Sequence, residues 1–191
     1  MSRLVATGLL LAAAALAHPA FAQNTTAYAG ASAGRSKADI DCTGTLTCDT
    51  SGTAWKIFAG YMFNPNFGVE GAWFDQGKAK FTAPVTGSPD AYGEFKGRGF
   101  GLYALAQASQ GPWSGFFKAG VVSTRATGSA TVSDISGSIS ETHTNFGWGL
   151  GGGYDFTRNF GARLEFERAR AELLGEKVNV DLVTLGLLAR F

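Results

Sequence analysis

Residues 160–166 read Phe-Gly-Ala-Arg-Leu-Glu-Phe, and their apolar side chains recur at every second position. One parity is entirely apolar and consists of Phe160, Ala162, Leu164 and Phe166. Arg163 and Glu165 occupy the other parity, so the two kinds of side chain fall on opposite faces of an extended chain. A helix repeats about every 3.6 residues and would not separate them in this way. The stretch therefore predicts a β-strand with one apolar and one charged face.

The same alternation recurs along the chain. At its end, one apolar parity is shared by Val183, Leu185, Leu187, Ala189 and Phe191. Counting all segments of this kind, the sequence predicts eight strands, at residues 28–35, 54–63, 67–74, 98–107, 113–125, 145–156, 160–166 and 183–191.

The predicted connections alternate in length. Three are short and rich in turn-forming residues: Asn64-Pro65-Asn66, Gln110-Gly111-Pro112 and Thr157-Arg158-Asn159. The others are polar and longer: residues 36–53, 76–93, 126–141 and the shorter stretch 173–177. Short turns at one end and long loops at the other are typical of an up-and-down outer-membrane barrel.

Aromatic residues flank the short turns on the apolar parity: Tyr61, Phe63, Phe67, Trp113, Tyr154, Phe156, Phe160 and Phe191. Such a ring is typical of a membrane–water interface. The sequence therefore predicts an all-β fold, an eight-stranded antiparallel up-and-down transmembrane β-barrel. The alternative is a soluble exported lipocalin-like binding barrel, which would have to enclose the apolar parity.

The composition agrees with a β structure that contacts lipid. The 191 residues are 45% hydrophobic, 13% aromatic and only 16% charged, and 27 of them are glycine. This hydrophobic and aromatic content argues against disorder. The chain has sixteen Lys and Arg residues and fifteen Asp and Glu residues, which gives a net charge of +1. Because it also contains no run of basic residues, we expect no nucleic-acid partner.

Residues 1–22 have the features of a secretory signal peptide. Arg3 supplies a positive charge, residues 4–17 are apolar, and Ala20-Phe21-Ala22 forms a cleavage site. The apolar run is shorter than the roughly 20 residues of a membrane-spanning helix. We therefore expect cleavage before Gln23 and a barrel domain at residues 23–191.

Several motifs resemble the transmembrane domain of OmpA and related small outer-membrane β-barrel proteins. They are residues 60–70 (Gly-Tyr-Met-Phe-Asn-Pro-Asn-Phe-Gly-Val-Glu), 153–157 (Gly-Tyr-Asp-Phe-Thr), 163–166 (Arg-Leu-Glu-Phe) and the terminal Phe191. The resemblance implies a bacterial outer-membrane protein in contact with outer-membrane lipids and lipopolysaccharide. In a departure from OmpA itself, we expect no peptidoglycan-binding domain. The resemblance also implies that Phe191 acts as the signal read by the barrel-assembly machinery. We expect a monomer.

If the apolar parity faces lipid, the charged parity faces the lumen. The predicted lumen ion-pair network comprises Lys56, Glu70, Arg98, Lys118, Arg163, Glu165, Glu167 and Arg190. An eight-stranded barrel is narrow enough for side chains to fill it. The resemblance implies a salt-bridge gate in which one glutamate exchanges basic partners, and Glu70 and Arg163 occupy two of its positions. The other two positions correspond to Ala104 and Gly153, which carry no charge. We therefore expect a static plug in which Glu70 pairs with Arg163 or Lys118.

Glycines and cysteines complete the structural expectations. Gly147-Trp148-Gly149-Leu150-Gly151-Gly152 formally matches a dinucleotide-binding fingerprint, but β alternation continues where that motif requires a helix. We expect glycines 147, 149, 151 and 153 to face the lumen and leave space for large neighbours. Cys42 and Cys48 lie in the first long loop, and an even pair in an exported chain favours a disulfide.

The chain shows no catalytic signature. We predict no catalytic, cofactor-binding or metal-binding residue, and no enzymatic activity. One alternative is a lipid A-modifying outer-membrane enzyme that uses His143 with Thr144 and Glu141, although no third group fixes the base. The favoured function is a structural role in envelope integrity, with exposed loops as candidate adhesin surfaces for a host or phage ligand.

Overall fold

The computed structural model describes residues 27–39, 47–83, 91–132, 135–173 and 176–191. Within these ranges the strands are β1 (Ala27–Ala38), β2 (Thr47–Asp49), β3 (Ser51–Met62), β4 (Phe67–Ala83), β5 (Ala91–Gln110), β6 (Trp113–Val132), β7 (Ile135–Asp155), β8 (Phe160–Leu173) and β9 (Glu176–Arg190). None of these ranges contains a helix long and apolar enough to cross a membrane. The predicted signal peptide and Cys42 lie outside them.

Eight of the described strands close into a ring. From β3 to β9 each strand pairs antiparallel with the next along the chain, and β1 pairs with both β3 and β9. The ninth strand, β2, pairs only with β4, over Thr82 to Lys80. The predicted eight-stranded antiparallel up-and-down barrel is therefore confirmed, with β2 as a short addition at one end.

The apolar parity faces outward. Leu187, Leu185 and Leu164 are 66%, 63% and 56% exposed. Arg163 and Glu165, which flank Leu164 in sequence, are buried. The eight aromatic residues predicted to flank the short turns are all exposed as well. A soluble barrel would place these side chains inside, so the outward apolar face argues against the lipocalin-like alternative.

The short turns are stabilised by local side-chain acceptors. Asn64 Oδ1 accepts hydrogen bonds from the backbone N–H groups of Asn66 and Phe67, both at 2.9 Å. In the corresponding turn near the end of β7, Thr157 Oγ1 accepts from the Phe160 N–H at 3.0 Å. These contacts hold the turns without a long loop, as the turn residues predict.

Where the structure describes them, the predicted long loops are mostly strand. Residues 126–141 were expected to form a loop, yet β6 continues to Val132 and β7 begins at Ile135. In the same way β4 continues to Ala83, past a bulge between Asp75 and Lys78. These parts are rich in Ser, Thr and Gly and show no apolar parity, because there both faces of the sheet contact water. Thr is nevertheless a good strand former, so the ladder continues.

The outward face changes character along β5, β6 and β7. Leu102, Val121 and Phe146 are each more than half exposed, and four residues further from the short turns the same face carries Arg98, Arg125 and Thr142. This change marks one edge of the lipid-facing band. The strand segments 76–83, 91–98, 125–132 and 135–142 project beyond it and are called the crown below.

Candidate functional site

A cluster of six ionisable side chains fills the lumen at mid-height. Its members come from the inward parity of four strands: Lys56 on β3, Glu70 on β4, Lys118 on β6, and Arg163, Glu165 and Glu167 on β8. All six are buried. Ring closure brings these strands face to face across the narrow lumen, and the cluster is called the plug below.

Lys118 is the centre of the plug. Its Nζ lies 2.8 Å from Glu70 Oε1, 2.5 Å from Glu165 Oε1 and 2.8 Å from Glu167 Oε1. The same ammonium group lies 4.1 Å from the ring centroid of Tyr103. One cation thus contacts all three carboxylates, and an aromatic face covers it on another side.

Arg163 holds Glu70 from a second direction. Its Nη1 lies 2.5 Å from Glu70 Oε2, and its Nε lies 2.9 Å from Glu165 Oε2. The guanidinium carbon lies 3.8 Å from the ring centroid of Phe116 and 4.9 Å from that of Phe58. Arg163 is therefore fixed by two carboxylates and two aromatic faces.

Lys56 and Tyr28 complete the contacts. Lys56 Nζ lies 2.9 Å from Glu165 Oε1 and forms a further ion pair with Glu167. The Tyr28 hydroxyl donates to Glu70 Oε2 at 2.9 Å. The plug consequently combines three carboxylates with three cations and carries no net charge, so the attraction between opposite charges offsets the desolvation penalty of burying them.

Glycines leave the space that the plug occupies. A Cβ at Gly149 would lie 2.9 Å from Glu167 Cγ and 3.2 Å from Lys118 Cε, and one at Gly147 would lie 2.5 Å from Val122 Cγ2. The expectation that these inward glycines accommodate large lumen side chains is confirmed.

Apolar and aromatic side chains pack around the plug. The buried cluster comprises Tyr28, Phe58, Ala72, Phe74, Tyr103, Val122 and Leu188. These groups enclose the charges of the plug and shield them from bulk water, which strengthens the electrostatic contacts within it.

Two residues of the predicted network lie elsewhere. Arg98 was expected in the lumen, but its side chain is 54% exposed on the outward face, where its Nε donates to Asp75 Oδ2 at 2.8 Å. Beyond the lipid-facing band the outward face is also wet, so a charge there does not indicate the lumen. Arg190 faces inward at the rim near the short turns and pairs with Asp155 at 2.8 Å, apart from the plug.

Sequence reasoning did not assign roles to the two tyrosines that contact the plug. Tyr28 and Tyr103 both lie on the inward parity of their strands and are buried. Inward parity in a predicted lumen with charged neighbours was the available signal, but it does not show which strands face each other.

The three residues of the enzyme alternative do not share one face of the strand. His143 Nε2 lies 3.5 Å from Glu141 Oε2. Thr144 is the next residue on the same strand, so its exposed side chain points to the opposite face. Among the described residues there is also no group of three or more potential metal ligands. The Cys42–Cys48 disulfide involves a residue outside the described ranges and stays a prediction.

Ion pairs lie on the outward face both in the crown and on the neighbouring strands β8 and β9. Lys78 Nζ lies 2.8 Å from Glu94 Oε1, and this contact lowers the pKa of the Glu94 carboxyl below its usual value. Arg168 makes two hydrogen bonds to Asp181, at 2.5 and 2.6 Å, on the outward face of β8 and β9. The outward surface beyond the lipid-facing band is thus charged, in contrast to the band itself.

Comparisons with known proteins identify relatives of the fold. A family profile for the outer membrane protein beta-barrel domain matches residues 8–191. Neisserial surface protein A is 18% identical, with 86% of this chain and 97% of that chain covered and a TM-score of 0.58. OprG from Pseudomonas aeruginosa is 15% identical, with 87% and 96% covered and a TM-score of 0.58.

A third similar structure is Ail, the attachment invasion locus protein of Yersinia pestis, in complex with the heparin analogue sucrose octasulfate. It is 22% identical, with 87% of this chain and 99% of that chain covered and a TM-score of 0.55. A search of curated proteins finds no significant match. At these identities, the structural likeness concerns the fold.

Proposed function

The chain belongs to the outer membrane protein β-barrel family and lies in the bacterial outer membrane, and from this premise we propose that it is a sealed, non-enzymatic barrel. Its proposed roles are to support envelope integrity and to present the crown to other molecules. The observation that carries the proposal is the neutral, buried plug, in which Lys118 contacts three carboxylates. A closed lumen leaves the outer surface and the crown for interaction.

The membrane partner in this proposal is lipopolysaccharide together with the other outer-membrane lipids. Exposed basic side chains lie on the outward face just beyond the lipid-facing band: Arg35, Lys37, Arg98, Arg125 and Arg168. The planar guanidinium group of arginine binds phosphate groups through two parallel hydrogen bonds. This placement supports contact with phosphorylated headgroups by a monomeric barrel.

A surface-interaction role draws support from the crown and from one relative. Ail, a similar barrel, has been crystallised with a heparin analogue. In the present chain, the segments 125–132 and 135–142 pair antiparallel and extend past the lipid-facing band. Adhesion to a host surface is therefore the finer role that we propose, through the crown.

Adherence of intact cells tests this finer role. Cells that display the full chain are compared, on a layer of solubilised basement membrane, with cells displaying a variant in which residues 127–140 are replaced by Asn-Gly. Ala126 and Glu141 are register partners that direct their backbone groups toward each other, because the Asp155 N–H donates to the Pro112 carbonyl in the same unbroken register. A two-residue turn therefore joins them without changing the barrel. Heat-modifiable gel migration checks that both proteins are folded. We expect adherence to fall with the shortened variant, and equal adherence would refute the adhesin role.

Swelling of liposomes tests the sealed lumen independently. Liposomes that contain the purified full chain should swell in an isotonic sugar solution no faster than empty liposomes. Fast swelling would contradict a sealed barrel, whatever the crown binds.

A further inference from the structure

A basic surface lies on the outward face of β4, β5 and β6, where these strands leave the lipid-facing band. Arg98 points outward on β5, and Lys96 lies two residues further along the same strand, so it shares that face. Residues directly opposite each other in register also share a face. The surface therefore contains five basic side chains and is called the basic face below: Lys78, Lys80, Lys96, Arg98 and Arg125.

Two pairs of like charges oppose each other across neighbouring strands of the basic face. Arg98 is the register partner of Arg125 on β6, and Lys96 is the register partner of Lys78 on β4. Directly opposed side chains have Cβ atoms only about 4.5–5.5 Å apart, and like charges there destabilise a sheet. The two pairs lie in successive rows, so the repulsion extends over one continuous area. An anion between the members of a pair would remove it.

Carboxylates balance only part of the basic face. Asp75 pairs with Arg98, and Glu94 pairs with Lys78, each at 2.8 Å. The hydrogen bond from Lys78, together with the charges of the two other lysines of the basic face, lowers the pKa of the Glu94 carboxyl. One carboxylate thus serves three ammonium groups.

The other three basic side chains lack a carboxylate of their own within the part of the chain that the structure describes. Asp49 is the register partner of Lys80, but its Oδ1 accepts hydrogen bonds from the N–H and the hydroxyl of Ser51. Arg125 donates to an uncharged serine hydroxyl of β7 at 2.9 Å. Lys96 forms no ion pair in the described ranges. The basic face therefore has positive charge left over for an external anion.

The basic face begins at the edge of the lipid-facing band. Phe100, two residues closer to the short turns than Arg98, is 53% exposed on the same face. Lys96 and Lys78 form the next row outward, about 7 Å further along the strand. A macromolecule outside the cell would have to displace lipid headgroups to reach the lower row, whereas a lipid of the outer leaflet already lies beside it. The occupant that fits is a lipid with phosphate groups at two heights.

We propose that the basic face is a binding site for one lipopolysaccharide molecule, held through phosphate groups at two heights. The inference rests on the proposed contact with lipopolysaccharide and names the strands and side chains that make it specific. The lower phosphate lies between Arg98 and Arg125, whose guanidinium groups bind phosphate oxygens in pairs. The upper phosphate, on the sugar core, lies between Lys78 and Lys96, which act as point charges.

Other basic side chains at this level lack the same arrangement. Arg168 is exposed on β8, but Asp181 already holds it through two hydrogen bonds. On β1, Arg35 and Lys37 are exposed, and their register partners on β3 and β9 are uncharged or acidic. General attraction to an anionic leaflet would involve all of these residues equally, whereas the proposed site depends on the opposed pairs.

The test uses the purified full chain in a non-ionic detergent, titrated with rough lipopolysaccharide whose core is phosphorylated. Native mass spectrometry counts the bound molecules. The basic-face variant carries Lys96→Gln and Arg125→Gln, which remove one member of each like-charge pair. The matched control carries Arg35→Gln and Lys37→Gln and loses the same amount of charge. Heat-modifiable migration checks that all three proteins are folded.

We expect the native chain and the control to bind one lipopolysaccharide molecule, and the basic-face variant to bind it about tenfold more weakly or not at all. Lipopolysaccharide stripped of its phosphates should bind all three proteins equally weakly. Without lipid, the basic-face variant should unfold at a temperature no lower than the native chain, because the repulsion is gone. Added lipopolysaccharide should raise the unfolding temperature of the native chain more than that of the variant.

Three results would overturn the proposal. Equal weakening in the basic-face variant and the control would show general charge attraction, and binding of the native chain that does not depend on phosphate would show contact through acyl chains alone. If the basic-face substitutions abolished binding of soluble heparin but left lipopolysaccharide binding unchanged, the face would belong to a polyanion outside the cell.

The same titration separates this inference from the proposed function. If lipopolysaccharide binds none of the three proteins, the proposed membrane partner fails together with the basic face. If it binds all three equally, the proposed partner stands and the basic face is not its site. The adherence test is independent, because the variant lacking residues 127–140 keeps all five basic side chains.

Discussion

Lys118 Nζ lies 2.8 Å from Glu70 Oε1 at the centre of the lumen, and neither side chain is exposed to solvent. Because Arg163 contacts the same carboxylate, Glu70 compensates two cations that reach it from β6 and β8. The stability of the barrel should therefore depend on this charge balance more than on any single ion pair. The sequence predicts that Glu70 pairs with Arg163 or Lys118, and in the structure Glu70 contacts both.

Removing the Glu70 charge should destabilise the barrel. Glu70→Gln leaves three cations facing two carboxylates, and breaking a buried pair typically costs about 3–5 kcal/mol. Adding Arg163→Met restores two charges of each sign, so the double variant should recover part of the loss. Urea unfolding in lipid vesicles measures both free energies. If the two losses are simply additive, the residues are not energetically coupled.

The lipid-facing parity can be tested with arginine substitutions along one face. Leu185 is 63% exposed within the lipid-facing band, and Leu185→Arg should cost about 2–4 kcal/mol if it lies near the midplane. Ser138→Arg, on the outward face of the crown, is the control and should change the unfolding free energy very little. Equal effects would show that the band is misplaced. Thr184 is unsuitable as a lumen control because it is only 1% exposed and closely packed.

Gly149 should tolerate no side chain. In Gly149→Ala the new methyl group would lie 2.9 Å from Glu167 Cγ, and overpacking of this kind costs about 1–3 kcal/mol. Gly152 provides the matched control on the same strand, because its nearest neighbour to an added Cβ is the Ser114 carbonyl oxygen at 3.5 Å. Comparison of the two unfolding free energies decides the point. A loss at position 152 as large as at 149 would contradict the role of lumen space.

The barrel could be predicted from sequence because lipid imposes a parity that is visible in segments such as residues 160–166. The same signal fails beyond the band, where water contacts both faces. This is why the sequence pattern wrongly predicts Arg98 in the lumen and a loop at residues 126–141. Likewise, parity identifies Lys118 as inward but does not show that it meets Glu70, since that contact depends on which strands face each other after closure.

Phe191 allows assembly in cells to be separated from stability after folding. Its side chain is 63% exposed in the belt of aromatic residues near the short turns. Its backbone N–H donates to the Ala27 carbonyl at 2.9 Å. Losing one such aromatic side chain costs at most about 1.5–3 kcal/mol of burial. If the assembly machinery reads the terminal aromatic, as the resemblance implies, deletion of Phe191 should reduce outer-membrane insertion far more than it lowers stability in refolded protein.

Phe160→Ala is the control for this prediction, because Phe160 is 60% exposed in the same belt of aromatic residues but is not the terminal residue. The two variants should unfold at similar urea concentrations after refolding into detergent. In cells, the Phe160 variant should reach the outer membrane at near-native levels and the truncated chain should not, as measured by protease accessibility of surface-exposed protein. Similar surface levels for both would refute recognition of Phe191, since the common loss of an aromatic side chain would then account for the result.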